Sequence, residues 1–159
     1  MHSESRDKGR TRKFLSFSLG GLEYGLDFDK VQELRVLKSL ERFAADGAII
    51  SGVAVSRGVI MPIVDMRAAF EGKPAQANPL TDVIILKLSR CVMGMVVDGV
   101  TGVVSLRADQ IVPIPCQGAQ QVDYLLGLGQ LEGRRLILVD IDRLMSIQRD
   151  RPALTRVVA

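Results

Sequence analysis

The chain has 159 residues, of which 47% are hydrophobic, 25% charged and only 4% aromatic, with no Trp. Such a length suits one ordinary domain that buries roughly 68–70% of its extended-chain surface, so a core can form without disulfides or a metal. The composition excludes a disordered or low-complexity polymer, and no apolar run approaches the ~20 residues that span a bilayer.

The formal net charge of +3 is uneven. Residues 1–13 hold Arg6, Lys8, Arg10, Arg12 and Lys13 against Glu4 and Asp7, a net +3. The last twelve residues carry a net +2, and the body from Phe14 to Ile147 a net −2. The pI of 9.1 therefore comes from two tails, and a basic tail is usually a solvated arm. Residues 1–12 are expected to form a flexible basic arm, 13–147 the folded domain and 148–159 a C-terminal tail. The N-terminus is polar and lacks a hydrophobic signal core, which points to the cytosol. Cys91 and Cys116 are isolated and read as free thiols in a reducing compartment.

Short strands dominate the chain. Phe14–Leu19 alternates bulky and small residues, meets Gly20-Gly21 and continues through Tyr24 and Leu26, which predicts a β-hairpin. The segment Asp27–Leu34 carries Phe28, Val31 and Leu34 at helical spacing and is predicted as a short helix. Val53–Ser56 and Val59–Val64 flank Arg57-Gly58 and predict a second hairpin. Asp65–Phe70 opens on an Asp suited to capping free backbone N–H groups. Glu71–Pro79, with Gly72, Pro74 and Pro79, reads as a connector. Val83–Leu88 with Val92–Val97, and Leu126–Leu131 with Leu136–Val139, predict two more hairpins. Asp140–Met145 repeats the Asp-capped helix.

These elements come twice. Setting Phe14 against Val83 also aligns Leu15 with Ile84, Phe17 with Leu86, Leu19 with Leu88 and Gly25 with Gly94, an offset of 69. Setting Gly52 against Gly127 aligns Gly58 with Gly133, Val64 with Val139 and Asp65 with Asp140, an offset of 75. One β module written twice predicts two small barrels, since closure removes exposed sheet edges. Each alone would have a thin core, so the two should pack together and form a groove at their junction.

Catalytic groups are hard to find. The only histidine is His2, in the arm, which removes Ser-His, Cys-His and His-ligated zinc proposals. No GxxxxGK[ST] phosphate loop is present, and Gly127–Gly133 has the wrong glycine spacing for a dinucleotide fingerprint. Asp140 and Asp142 lack a third calcium-loop ligand, so a helix cap explains Asp140 better than a metal does. Asp98-Gly99 reads as a tight turn. No catalytic residue, metal or cofactor is expected. Glu33 and Arg57 remain open between solvated charges and functional ones.

Several stretches resemble one family. Phe14–Asp27 and Lys30–Arg35 resemble the opening of CheW-type chemotaxis coupling proteins, and Gly52–Arg67 resembles that family's most recognisable stretch. Val96–Val100, Tyr124–Gly129 and Leu136–Ile141 follow in order, so the resemblance covers about Lys13 to Ile147. It implies an all-β fold with short helices, built of two five-stranded SH3-like barrels packed together. It implies a non-enzymatic adaptor that couples a CheA-type histidine kinase to methyl-accepting chemoreceptors, without membrane insertion of its own. The receptor-facing residues it implies are Val31, Glu33, Leu34, Arg57, Val97, Gly99 and Val103, docking the receptor's cytoplasmic tip in the inter-barrel groove. Those facing the kinase regulatory domain are Val36, Leu37, Leu40 and Ile50.

The chain departs from the family where many members read Asn-Leu-Arg-Gly and it has Val55–Gly58, with Ser56 at an apolar position. Ala45–Ala48 replaces a proline-containing approach, and Cys116–Val122 is a loop rich in Gln, Gly and Ala. Two alternatives stay open: a nucleic-acid-binding small barrel with basic arms, which would want exposed aromatics that are scarce here, and a CheW-like regulatory module of a parallel chemosensory pathway. Self-association into rings is also open.

Overall fold

The computed structural model describes residues 10–43, 51–67, 80–114 and 124–150. Twelve strands occupy them: β1 (Thr11–Leu19), β2 (Leu22–Asp27), β3 (Val31–Val36), β4 (Glu41–Phe43), β5 (Ser51–Ser56), β6 (Val59–Asp65), β7 (Asp82–Lys87), β8 (Val92–Val96), β9 (Gly99–Arg107), β10 (Ile111–Val112), β11 (Leu125–Leu131) and β12 (Arg134–Val139). One helix, α1 (Ile141–Asp150), follows. The four predicted hairpins are all present, as β1–β2, β5–β6, β7–β8 and β11–β12. Gly20 and Gly21, at φ 58° and 82°, supply the left-handed turn that matches the twist of β1 and β2.

The strands form two six-stranded sheets, ordered β10-β11-β12-β2-β1-β9 and β3-β7-β8-β6-β5-β4. In each, the two edge strands are consecutive in the chain and joined by one 3₁₀ turn, Ala108–Gln110 or Leu37–Ser39. Counted as one bent strand, each pair closes its sheet into a five-stranded barrel. The first, barrel A, draws on β1, β2 and β9–β12, and barrel B on β3–β8.

The two repeats do not each form a barrel, as the duplication suggested. Each barrel takes its first hairpin from one repeat and its last four strands from the other. The repeat nevertheless governs every register. Phe14 pairs with Val104 as Val83 pairs with Arg35, and Gly25 with Leu138 as Gly94 with Ile63. Ile111 pairs with Gly129 as Arg42 pairs with Ala54. Even the register shift between Ser16 and Phe17 opposite β9 recurs between Val31 and Glu33 opposite β7.

That irregularity explains the one wrong element. Only Phe28–Lys30 of the predicted helix is helical, as a 3₁₀ turn capped by Asp27 Oδ1 on the Asp29 N–H at 3.0 Å. Val31 onward is strand β3. The extra residue Gln32 brings Val31 and Leu34 to the same face, which imitates helical spacing. Its counterpart β9 carries the same shift and no strand was predicted there. The domain ends also move. Thr11 and Arg12 of the expected arm pair with Arg107 and Leu106. Helix α1 runs to Asp150, past the expected boundary at Ile147, since no breaker precedes Pro152.

Three cores result. Leu37, Leu40, Ala54, Met61, Ile63, Val83, Ile85 and Val96 fill barrel B, and Phe14, Leu106, Leu136 and Leu138 fill barrel A. A central core lies between the barrels and takes Leu15, Phe17 and Leu26 from one, Ile84, Leu86 and Met95 from the other, and Ile141, Leu144 and Met145 from α1. Strand β7 serves two cores, Val83 and Ile85 facing one and Ile84 and Leu86 the other, so it reads as an unbroken apolar run.

Candidate functional site

Strand β3 presents opposite characters on its two faces. Val31 and Leu34 pair with Leu86 and Ile84, which belong to the central core. Val31 packs against that core, while Leu34 is 48% exposed. On β9, Val103 pairs with the central-core residue Leu15 and is 51% exposed. Leu34 and Val103 are thus matched positions of the duplication. Each sits where the central core reaches the surface between the barrels.

Glu33 and Arg35 occupy the other face of β3. Glu33 pairs with Ile85 and Arg35 with Val83, both residues of the barrel B core. The Glu33 carboxylate takes one arginine on each oxygen: Arg35 Nη1 on Oε1 at 3.1 Å and Arg57 Nη2 on Oε2 at 3.2 Å. Arg57 tips the β5–β6 hairpin in the left-handed region, at φ 52°, ahead of Gly58 at 76°. A non-glycine residue there costs about 1–2 kcal/mol. Its side chain is largely solvated, so the ion pair contributes only about 0–1 kcal/mol and acts chiefly on orientation.

The remaining implied residues divide. Gly99 is half-buried at the start of β9, beside Ser18, whose hydroxyl donates to its carbonyl at 3.4 Å. Val97 is fully buried in the central core and offers no side chain to a partner. Leu37 and Leu40 likewise point inward, into barrel B, because the 3₁₀ turn between β3 and β4 closes that core. Val36 is half-buried. Ile50 lies outside the described residues, as do Cys116, the Cys116–Val122 loop and Ala45–Ala48. The pairing of Glu33 with Arg57 has no signal in sequence, and neither does the part of Arg35 in it.

Asp98 does more than turn the chain: its carboxylate accepts the Gly20 N–H at 2.8 Å and ties the β1–β2 turn to β8–β9. Asp65 and Asp140 cap as expected, accepting the Arg67 and Arg143 N–H groups at 3.0 and 3.3 Å. Asp142 is held by Ser89 and by Lys30 Nζ at 3.0 Å. Burial alone would raise the Asp142 pKa. The Ser89 N–H, Lys30 and the Ser89 hydroxyl outweigh it and lower it, while the Asp142 hydrogen bond raises that of Lys30. In barrel A, Arg134 holds Glu23 at 2.7 Å and lowers its pKa, with help from Thr101 against burial.

Among the described residues no group of three or more His, Cys, Asp or Glu side chains could hold a metal ion. An open cleft of about 640 Å³ lies at the β11–β12 tip, lined by Gln130, Leu131, Gly133, Arg134 and Arg135, none of them an implied site residue. No helix among the described residues is long and apolar enough to cross a membrane. What the geometry offers is recognition: an apolar rim at the junction of two barrels, with an oriented carboxylate and guanidinium beside it.

Known proteins share this architecture. Residues 13–149 match the model of the CheW-like domain family. The chain is 46% identical over 136 residues to the chemotaxis protein CheW of Klebsiella aerogenes, covering 85% of this chain and 82% of that one. It is 26% identical over 142 residues to protein FrzA of Myxococcus xanthus, covering 88% and 89%. The crystal structure of the scaffolding protein TtCheW from Thermoanaerobacter tengcongensis superposes with a TM-score of 0.67 at 22% identity, over 82% of this chain and 90% of that one, a likeness of fold.

Proposed function

The chain belongs to the CheW-like domain family and is a chemotaxis adaptor, and from that premise we propose that it joins a CheA-type histidine kinase to the cytoplasmic tip of a methyl-accepting chemoreceptor, without chemistry of its own. The observation that carries the receptor side is the surface of β3 and β9. Leu34 and Val103 extend the central core to solvent, and an amphipathic helix docks by laying apolar residues against such a rim. Glu33 and Arg57 supply an oriented pair of charges, which sets register and on-rate more than affinity. Val31 and Gly99 complete the receptor face, and Val97 supports it from below. Val36 is the accessible member of the kinase group, with Leu37 and Leu40 shaping the turn that bears it and Ile50 belonging to the same group. The work site is the cytoplasmic side of the membrane, at receptor arrays.

The test mixes the protein with a receptor signalling fragment and a CheA-type kinase and follows autophosphorylation. Addition is expected to place kinase output under receptor control, and unchanged output and association would sink the reading. Glu33→Lys reverses the carboxylate between two arginines. It is expected to weaken receptor association and, because the Glu33 side chain is only a quarter exposed and meets Arg35 and Arg57, to cost about 1–3 kcal/mol of stability. Global unfolding by that change would make Glu33 structural instead.

A further inference from the structure

We propose that Arg35 is a positioning residue that couples the two binding faces of the adaptor, a role that rests on the function proposed above. Its guanidinium is the middle of a continuous chain of polar contacts. Arg57 holds Glu33 Oε2, and Arg35 Nη1 donates to Glu33 Oε1 at 3.1 Å. Arg35 Nε donates to Ser39 Oγ and its Nη2 to the Ser39 carbonyl, each at 3.1 Å. The Ser39 hydroxyl donates in turn to the Val36 carbonyl at 2.6 Å. One planar fork thus fixes both the carboxylate on the receptor side and the 3₁₀ turn on the kinase side. Arg35 and Glu33 are mostly buried side chains, 22% and 25% exposed, so their geometry is held by the sheet beneath them rather than by solvent.

The duplication supplies the control that separates coupling from mere support. Barrel A builds the matching strand in the same register, while its turn, Ala108–Gln110, lies two residues further on and is held by other groups, Asp109 and Gln110 on Arg107. There Glu33 corresponds to Gly102, Arg35 to Val104, Ser39 to Ala108 and Arg57 to Glu132. None of the four groups is retained, yet the strand pairing is the same. The strand pairing does not need the chain of contacts; barrel B carries it beside the residues that the receptor and kinase readings pick out. A partner that draws Val36 or its turn pulls on Ser39, and through Arg35 re-aims Glu33 at Arg57. Binding at one face then changes affinity at the other, and by linkage the effect is reciprocal.

The experiment measures the affinity of the receptor signalling fragment with and without saturating kinase regulatory domain. In the wild type the two values should differ by about fivefold or more, the lower range of ordinary coupling. In Arg35→Met the ratio should fall below about twofold. Arg35→Lys keeps the charge but not the fork that spans both partners, and should lose the ratio too. Melting temperatures confirm that both variants fold. A ratio that survives in Arg35→Met, or that is absent from the wild type, overturns the proposal. If the wild type binds neither partner, the adaptor reading fails on its own account and a partner-free measurement decides this one. Glu33→Gln should shift the amide resonances of Leu37, Lys38 and Ser39 in the wild-type background and leave them in place in Arg35→Met; resonances that do not move in the wild-type background overturn it.

Discussion

Barrels A and B share registers residue for residue, including one bulge, but their polar clusters have nothing in common. In barrel A the bulge buries Ser16, which donates to the Gly102 carbonyl and receives Thr101, while Thr101 and Arg134 both reach Glu23. In barrel B the same place on the strand bears Glu33, tied outward to Arg57 and along the strand to Arg35. One cluster knits a barrel to itself. The other ends on a strained, solvated arginine at a hairpin tip. Backbone pairing tolerated complete replacement of the polar side chains, which left one copy free to stabilise and the other free to bind.

The comparison is broken most decisively in the central core. Phe17 and Leu86 are matched positions, both essentially unexposed. Phe17→Ala should cost about 3–5 kcal/mol and Leu86→Ala about 2–5 kcal/mol. Both losses should appear in urea as a lower midpoint of one transition. Two resolved transitions would show barrels that fold separately, against the shared core and exchanged hairpins.

The helix caps give a sharper contrast. Asp65 is 7% exposed and gripped by Arg67 Nε and Nη2 at 3.0 and 2.9 Å, whereas matched Asp140 meets Arg143 at 3.6 Å in solvent. Arg67→Met should cost about 3 kcal/mol, because a buried carboxylate loses its partner. Arg143→Met should cost less than about 1 kcal/mol. Equal losses would erase the distinction.

Acid titration separates the barrels again. The Glu23 carboxylate, with its pKa below the usual 4.5 chiefly through Arg134, adds stability above the unfolded pKa that disappears as pH falls through the folded value. Barrel B has Val92 at the matched position. Glu23→Gln should therefore flatten the loss of stability below about pH 4.5, read from melting temperatures across pH. An unchanged acid slope would remove Glu23 from the account.

The smallest effect is at the hairpin tips. Arg57→Gly relieves a left-handed residue and should leave stability unchanged or raise it by up to about 1 kcal/mol. Glu132→Gly has no such backbone to relieve and should lower stability by about 0.5 kcal/mol. A loss at Arg57 larger than at Glu132 would mean that the Glu33 pair matters more to folding than its exposure suggests.

Much of this was legible beforehand for local reasons. Gly20-Gly21 and Arg57-Gly58 announced hairpins because left-handed turns need such residues. The Val83–Leu88 and Val92–Val97 runs marked a hairpin, and Asp140 announced a capped helix. Strands β3 and β9 stayed hidden because a bulge shifts the period-two pattern, which at Val31 and Leu34 imitates a helix. Of the implied site, Leu34 and Val103 emerge at the surface between the barrels and Glu33 meets Arg57. Val97, Leu37 and Leu40 turn inward, which no periodicity distinguishes from an apolar residue left in solvent.

The amino-acid order by itself set the turns and the strand alphabet, because each depends on neighbours a few residues apart, and the duplication and the family, because both are matches of sequence to sequence. Only the tertiary structure decided that the repeats exchange their first hairpins and that a carboxylate on β3 lies between two arginines. A strand's edge bears the same donors and acceptors whichever partner it meets, so which one it takes is settled by the cores that the whole chain closes together.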